Sequence, residues 1–272
     1  RLLAYPLSTS ADHIASGLGN VRRRVTICSA CSSGAIALVN SVAWLHAGQV
    51  DAVVAGGTDG LCRLTFAGFN ALGATSTEVC RPFDARRDGL TLGEGAAFLV
   101  LETEAAARAR GATVLAWLSG FAVAAEAHHI THPEPKGETA ARLIGAAITR
   151  AGLATTDVDY VNAHGTGTLA NDAMEAKALA SALGDELAHV AVTSSKGQIG
   201  HTLGAARAIQ AALTVLALER GMVPPSGGLM EPDPALHLRH VSGRGEARQL
   251  RVALSSSFGF GGTGGVLALE HA

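Results

Sequence analysis

The stretch Val25-Thr-Ile-Cys-Ser-Ala-Cys-Ser-Ser-Gly-Ala-Ile-Ala-Leu38 constrains the fold more than any other part of the chain. A β-branched run from Arg22 to Cys28 reads as a strand, and an apolar segment from Cys31 to Ala47 reads as a helix. Only a sharp corner fits between them, kept small by Ser32, Ser33 and Gly34. The corner sets Cys31 at the first turn of a helix. Unpaired N–H groups and the helix dipole there lower a thiol's pKa and can also hold an oxyanion. Taken alone, the corner leaves other readings open. Cys28 and Cys31 are spaced like a redox pair or half a zinc site, and either fits as a small buried hydrophobe. No second Cys-x-x-Cys or spaced His pair accompanies them, so partners elsewhere in the chain must decide.

Strand-like and helix-like segments alternate through the rest of the chain. The first half reads as a helix from Ser8 to Gly17, strand 22–28, helix 31–47 and a buried strand 50–55. An irregular stretch 58–95 follows, with a short helix at 64–72, and then another buried strand, 97–102. Helix 31–47 is apolar nearly all round, which predicts enclosure by sheets. A charged connector, 102–110, leads to strand 113–123, a polar loop 126–133, helix 138–152, strand 157–163 and helix 171–183. Strand 189–194, helix 203–219 and strands 251–257 and 265–270 complete the series.

The order of elements in 113–270 matches that in 8–102 once its opening β-α-β is removed, which suggests a duplicated α/β unit. Residues 1–110 are expected to be a partial first half carrying the cysteine, and 111–272 a second half carrying the histidines. A twofold relation between the halves brings the helix that starts near Cys31 up to the helix that starts near His201. Alternating strands and helices predict parallel-rich sheets covered by helices.

Composition narrows the function. The 272 residues are 48% hydrophobic and 16% charged, with net charge −2, and mean hydropathy is +0.27. That is a core-rich globular balance, with no basic surface for nucleic acid. No apolar run reaches 18 residues, so no membrane span is expected. Four cysteines are too few for a disulfide framework in a chain this long, and a reducing, cytoplasmic compartment is expected. The chain starts at Arg1 without a signal peptide and is expected to be a segment of a longer protein, a processed product or an excised piece.

Three further stretches carry polar residues at strand ends, where α/β folds bind ligands. His164 opens Gly-Thr-Gly-Thr168, Lys196 and His201 lie in Lys-Gly-Gln-Ile-Gly-His, and Phe260 tips a glycine turn suited to a movable gate. His128, His129 and His132 do not read as a metal site, because adjacent side chains point apart. The glycine turn lacks the Lys-Ser/Thr pair of a phosphate loop.

Together these features resemble the elongating β-ketoacyl-acyl carrier protein synthases of the Cys-His-His type. The likeness rests on Ser29-Ala-Cys-Ser-Ser-Gly34, Arg81-Pro-Phe-Asp with Arg87-Asp-Gly and Gly93-Glu-Gly, and Ala163-His-Gly-Thr-Gly-Thr-x-x-Asn-Asp-x-x-Glu175. Lys196-x-x-x-Gly-His-x-x-Gly-Ala205 and Ser257-Phe-Gly-Phe-Gly-Gly-Thr263 complete it. The resemblance implies a thiolase-like layered α/β/α/β/α fold from duplicated halves, with the opening elements of the first half absent. It implies decarboxylative condensation of an acyl thioester with malonyl-acyl carrier protein, in fatty acid or polyketide elongation. A non-catalytic ketosynthase-like partner or scaffold subunit is the alternative.

The resemblance also assigns residues. Cys31 would accept the acyl group, and His164 and His201 would bind the malonyl thioester carbonyl. Lys196 would organise the site, paired with Glu175, and Asp172 would add structural support. Phe260 would gate the pocket, its N–H joining that of Cys31 in an oxyanion hole. Thr131, Thr166, Thr168 and Phe258 would line the phosphopantetheine channel. No metal or cofactor is implied beyond the carrier's phosphopantetheine. The implied partners are acyl carrier protein, a second copy or ketosynthase-type subunit, and a chain or segment completing the first half. Two positions depart from the family pattern, Arg207 for glycine and Gly264 for asparagine.

Overall fold

In a computed structural model, which describes residues 6–272, the sheets and helices stack in layers. The main sheet has six strands in the order β3-β10-β9-β4-β5-β7. Antiparallel β3 (Ala116–Ala125), β10 (Thr263–His271) and β9 (Val252–Phe258) form one side. On the other side β4 (Tyr160–Asn162), β5 (Ala191–Thr193) and β7 (Arg239–His240) run parallel to β9. One face is covered by α5 (Glu138–Arg150) and α6 (Leu169–Leu183), whose Leu143, Ile144, Met174 and Leu179 meet Val161, Val192, Leu254 and Val266. The other face carries α8 (Ala206–Arg220) and α2 (Ser33–His46).

Beyond α2 and α8 lies an antiparallel pair, β1 (Ala52–Asp59) and β2 (Gly95–Glu102). Leu38, Ala55, Ala211 and Leu267 join all these layers in one cluster. Period-two alternation shows in β2, where Leu99 and Leu101 turn toward that cluster while Phe98 and Val100 are 41% and 62% exposed. Among the described residues nothing covers that outer face, so four of the expected five layers are present. The remaining elements are α1 (Thr9–Leu18), α3 (Arg63–Ala71), α4 (Glu104–Ala109), the short α7 (Lys196–Ile199), and the pair β6 (Met222–Val223) and β8 (Glu246–Ala247). No helix among the described residues is long and apolar enough to cross a membrane.

Several expectations shift. Residues 22–28 are not a strand: they are mostly exposed and make no ladder. A β-branched run becomes a strand only when another strand offers its hydrogen bonds, and none does among the described residues. Arg24 instead pairs with Asp12 at 2.9 Å, and Arg23 lies 5.9 Å from the Trp44 ring. Helix α2 is not enclosed all round, since Asn40, Ala43 and His46 on its outer side are exposed. The charged connector holds α4, capped by the Thr103 side chain. The helix expected from 203 begins with a 3-10 turn, Leu203–Ala205.

Candidate active site

Helix α2 starts at Ser33, so Cys31 sits just ahead of it, in a tight turn with Ala30 at φ 44°. That left-handed conformation is costly for alanine and is held by neighbours. Ser32 N–H donates to Ser29 O at 2.9 Å, and the Ser33 hydroxyl accepts from Ser29 N–H at 2.9 Å while donating to Ala30 O at 2.7 Å. The first turns of α2 and α8 touch. A Cβ added at Gly34 would lie 2.9 Å from Ala208 N, so only glycine lets the helices come this close.

Cys31 is 6% exposed. Burial pushes its thiol up; Lys196, the Phe260 N–H, Arg207 and its own N–H pull the other way. The lowered pKa expected of a helix N-terminus is therefore outweighed by desolvation, a cost invisible in the local sequence. The backbone N–H groups of Phe260 and of Cys31 itself act on the sulfur in the direction that favours a thiolate.

His164 follows β4, and His201 stands between α7 and the 203–205 turn. Their rings meet edge to face, 5.5 Å apart at 87°. Both are 2% exposed. Burial, with the Lys196 charge nearby, holds His164 well below the usual histidine range and takes His201 down to about 3, so both are neutral at pH 7. His201 Nδ1 accepts from Leu203 N–H at 3.1 Å, which leaves the proton on Nε2 as a donor. His164 Nδ1 is buried without a partner among the described residues. The irregular stretch before β2 clamps this corner: His201 N–H donates to Thr91 O at 2.7 Å and Gly93 N–H to His201 O at 3.0 Å.

Lys196 is buried, and its ammonium donates to His164 O and, at 2.9 Å, to Gln210 Oε1. Burial brings it down to about 8. The direct pairing with Glu175 is absent. Glu175 instead accepts from His164 N–H at 2.8 Å, Gly165 N–H at 2.8 Å and the Ser256 hydroxyl at 2.7 Å. Those three donors occupy the carboxylate, so it reaches Lys196 only through its charge. Asp172, pushed up to about 6 by burial, accepts from Phe83 N–H at 2.8 Å and Gly167 N–H at 3.2 Å, and so shapes the Gly-Thr-Gly-Thr loop.

Phe260 begins the turn between β9 and β10 and stacks on Phe69 of α3 at 5.5 Å. Phe258 meets the His164 ring edge-on at 6.3 Å. At Gly264 an added Cβ would lie 2.9 Å from Leu143 and 3.1 Å from Phe258, so the packing around the gate has closed on glycine. The Thr166 and Thr168 hydroxyls are 2.9 Å apart, and Thr168 also caps α6. Thr131 lies in a loop beside the gate, where Ile130 O accepts from Gly261 N–H at 2.8 Å; its own N–H and hydroxyl bond His129 and His132.

Sequence reasoning passed over Gln210 and Phe69 and read Ser32 only as a small residue of the corner. Gln210 holds Lys196, and Ser32 ties the corner to the gate by donating to Thr263 O at 2.8 Å. Phe69 backs Phe260. Helical spacing from Arg207 could have flagged Gln210 as a polar residue on an inward face; nothing local marks the other two.

As a chemical device, this is a buried thiol and two neutral imidazoles that share one buried lysine, whose charge acts on all three. Models of the β-ketoacyl synthase N-terminal and C-terminal domains match residues 7–107 and 115–230. The 3-oxoacyl-[acyl-carrier-protein] synthase 2 of Rhizobium meliloti (strain 1021) is 40% identical, over 95% of this chain and 64% of its own. Nodulation protein E of Rhizobium meliloti is 39% identical, over 97% of this chain and 66% of its own. The chain thus spans a little under two thirds of these curated relatives. Among solved structures, a ketosynthase in complex with its type II PKS acyl-carrier protein superposes with TM-score 0.96 and 31% identity, over 99% of this chain and 68% of that one. A β-ketoacyl synthase from Burkholderia phymatum STM815 superposes with TM-score 0.92 and 36% identity, over 98% of this chain and 66% of that one. With its fold and its sequence pointing the same way over nearly its whole length, the chain belongs to the β-ketoacyl synthase family.

Proposed function

We propose that this chain carries the condensing centre of a β-ketoacyl-acyl carrier protein synthase. The observation that carries the reading is the edge-to-face pair of neutral imidazoles beside a buried lysine whose charge also acts on the Cys31 thiol. The Cys31 thiol gives up its proton and the thiolate attacks an acyl thioester; the carbon–sulfur bond to the carrier breaks, and the departing sulfur takes up that proton. Malonyl thioester then loses carbon dioxide, and the electron pair of the broken bond forms an enolate. Neutral His164 and His201 donate hydrogen bonds to its oxygen where charge develops. The enolate carbon attacks the Cys31 thioester, the N–H groups of Cys31 and Phe260 hold the oxyanion, and the sulfur leaves as thiolate.

In this reading Lys196 sets the orientation of the His164 loop, with Glu175 and Asp172 as support. Phe260 gates the pocket; Thr131, Thr166, Thr168 and Phe258 line the phosphopantetheine path. The chain needs no cofactor of its own and works in the cytoplasm on substrates held by acyl carrier protein. It works as a homodimer or a ketosynthase-type heterodimer, with another chain or segment completing the first half. Residues 1–110 and 111–272 are its two halves, of which 1–5 lie outside the described residues. The relatives' names and titles, 3-oxoacyl-[acyl-carrier-protein] synthase 2 and a ketosynthase with its acyl-carrier protein, support this reading.

The alternative is a non-catalytic ketosynthase-like partner or scaffold subunit. One experiment separates them: incubation with acyl-carrier protein loaded with an acyl chain, mass spectrometry of the Cys31 peptide, then addition of malonyl-carrier protein. The condensing reading expects an acyl adduct on Cys31 and a β-ketoacyl product, both lost in Cys31→Ala. No adduct, or product from Cys31→Ala, overturns it.

A further inference from the structure

Arg207 has the largest of the fully buried side chains, with 0% exposure. It lies in the first turn of α8 beside the Cys31 corner, where an added Cβ at Gly34 would come 3.2 Å from its own Cβ. Its guanidinium donates to Ser257 O and Gly265 O. Those residues face each other across β9 and β10, just before the strands part into the Phe260 turn. The third nitrogen, Nε, is buried without a partner among the described residues. Arg207 therefore spans the base of the gate hairpin with its positive charge bonded only to neutral carbonyls.

The charge balance around it is uneven. Lys196 is likewise bonded only to neutral oxygens. The carboxylate that acts on both cations is Glu175, fully buried and occupied by its three donors. The other groups facing this space are the Cys31 and Cys80 thiols and the two imidazoles, which are neutral at pH 7. Two buried cations thus face one buried anion, an arrangement that an additional negative charge relieves. Arg207 remains protonated even though burial takes it down to about 9.

We propose that Arg207 is a positioning residue that clamps the base of the Phe260 turn and supplies a second buried positive charge. That charge favours an anion at sulfur 31 and, once the sulfur carries a neutral acyl group, favours the carboxylate of the donor instead. The donor half of this inference rests on the condensing role proposed above; the sulfur half does not. Arg207 thereby offsets part of the desolvation of Cys31, and the site keeps a vacancy for an anion that the donor's carboxylate fills.

The first test follows iodoacetamide labelling of Cys31 against pH by peptide mass spectrometry, with exposed Cys62 as internal reference. In Arg207→Met the Cys31 profile moves up by about one pH unit, roughly a tenfold slower reaction on the acid limb, while Arg207→Lys restores most of it and Cys62 is unchanged. Superimposed profiles for wild type and Arg207→Met overturn the charge role, as does a shift that Arg207→Lys fails to restore. The second test compares wild type, Arg207→Met and Arg207→Lys. Malonate, read by thermal shift, binds wild type and Arg207→Lys at least tenfold tighter than Arg207→Met, whereas neutral malonamide shows no difference. Equal malonate affinity for wild type and Arg207→Met overturns the anion site. Neither measurement uses condensation, so a failed condensation assay leaves both results interpretable.

Discussion

Glu175→Gln puts the buried polar network under direct strain. The native carboxylate is 0% exposed and accepts three short bonds, from two successive backbone N–H groups and the Ser256 hydroxyl. A glutamine has one oxygen, so its amide NH2 must replace either Oε1, which accepts from His164 N–H and Ser256, or Oε2, which accepts from Gly165 N–H. Hydrogen bonds to a buried charge are worth about 1.5–3 kcal/mol each, and an orphaned buried donor costs about 1–3 kcal/mol. In either placement one backbone N–H faces the NH2, while the Ser256 hydroxyl can rotate to accept. One backbone N–H then still loses its charged partner, and Lys196 and Arg207 lose their only shared counter-charge. Removing one member of such a buried set costs about 3–5 kcal/mol. For a chain of this size that lowers Tm by about 6–15 °C. Urea unfolding and calorimetry at pH 7 measure it. A loss under about 1 kcal/mol would show that solvent or a rearranged Lys196 replaces the carboxylate, and the network argument would fail.

Two further outcomes follow from the same structure. His164 and His201 bind protons far more weakly folded than unfolded, where histidine titrates near its ordinary 6.5. Their contribution is fully present above that value and is lost progressively as pH falls toward about 3, with a slope up to about 1.4 kcal/mol per pH unit for each group. His201→Gln should flatten the slope of unfolding free energy between pH 6 and 4 by about one proton, and an unchanged slope would place His201 in contact with water. Gly197→Ala places a methyl 1.8 Å from Gly227 O and should cost more than about 3 kcal/mol in chemical denaturation, whereas Gly145→Ala in α5 meets nothing within 4 Å and should gain about 0.5–1 kcal/mol. Equal effects at the two sites would mean that the 196–200 and 225–228 segments are free to separate.

The helix that follows Cys31, the amphipathic helix over 138–150 and the presence of strand β2 were legible from local pattern alone. Side-chain period, β-branching and glycine placement act over a few residues, and a linear chain displays them directly. The motif residues could likewise be named in order. Their state could not. Residues 22–28 have the makings of a strand but lack a neighbour to bond with, and strand pairing is a property of two segments. Cys31 has the helix terminus that lowers a thiol's pKa, yet burial by distant parts of the chain outweighs it. Lys196 and Glu175 look like an ion pair on paper, but the carboxylate is taken by the backbone beside His164, and Gln210 takes the lysine. Arg207, a mere irregularity in a motif, turns out to sit under the gate, bonded across two strands about fifty residues further along. Desolvation and charge act through space, so only the folded arrangement decided which of these groups carries charge and which partner each one holds.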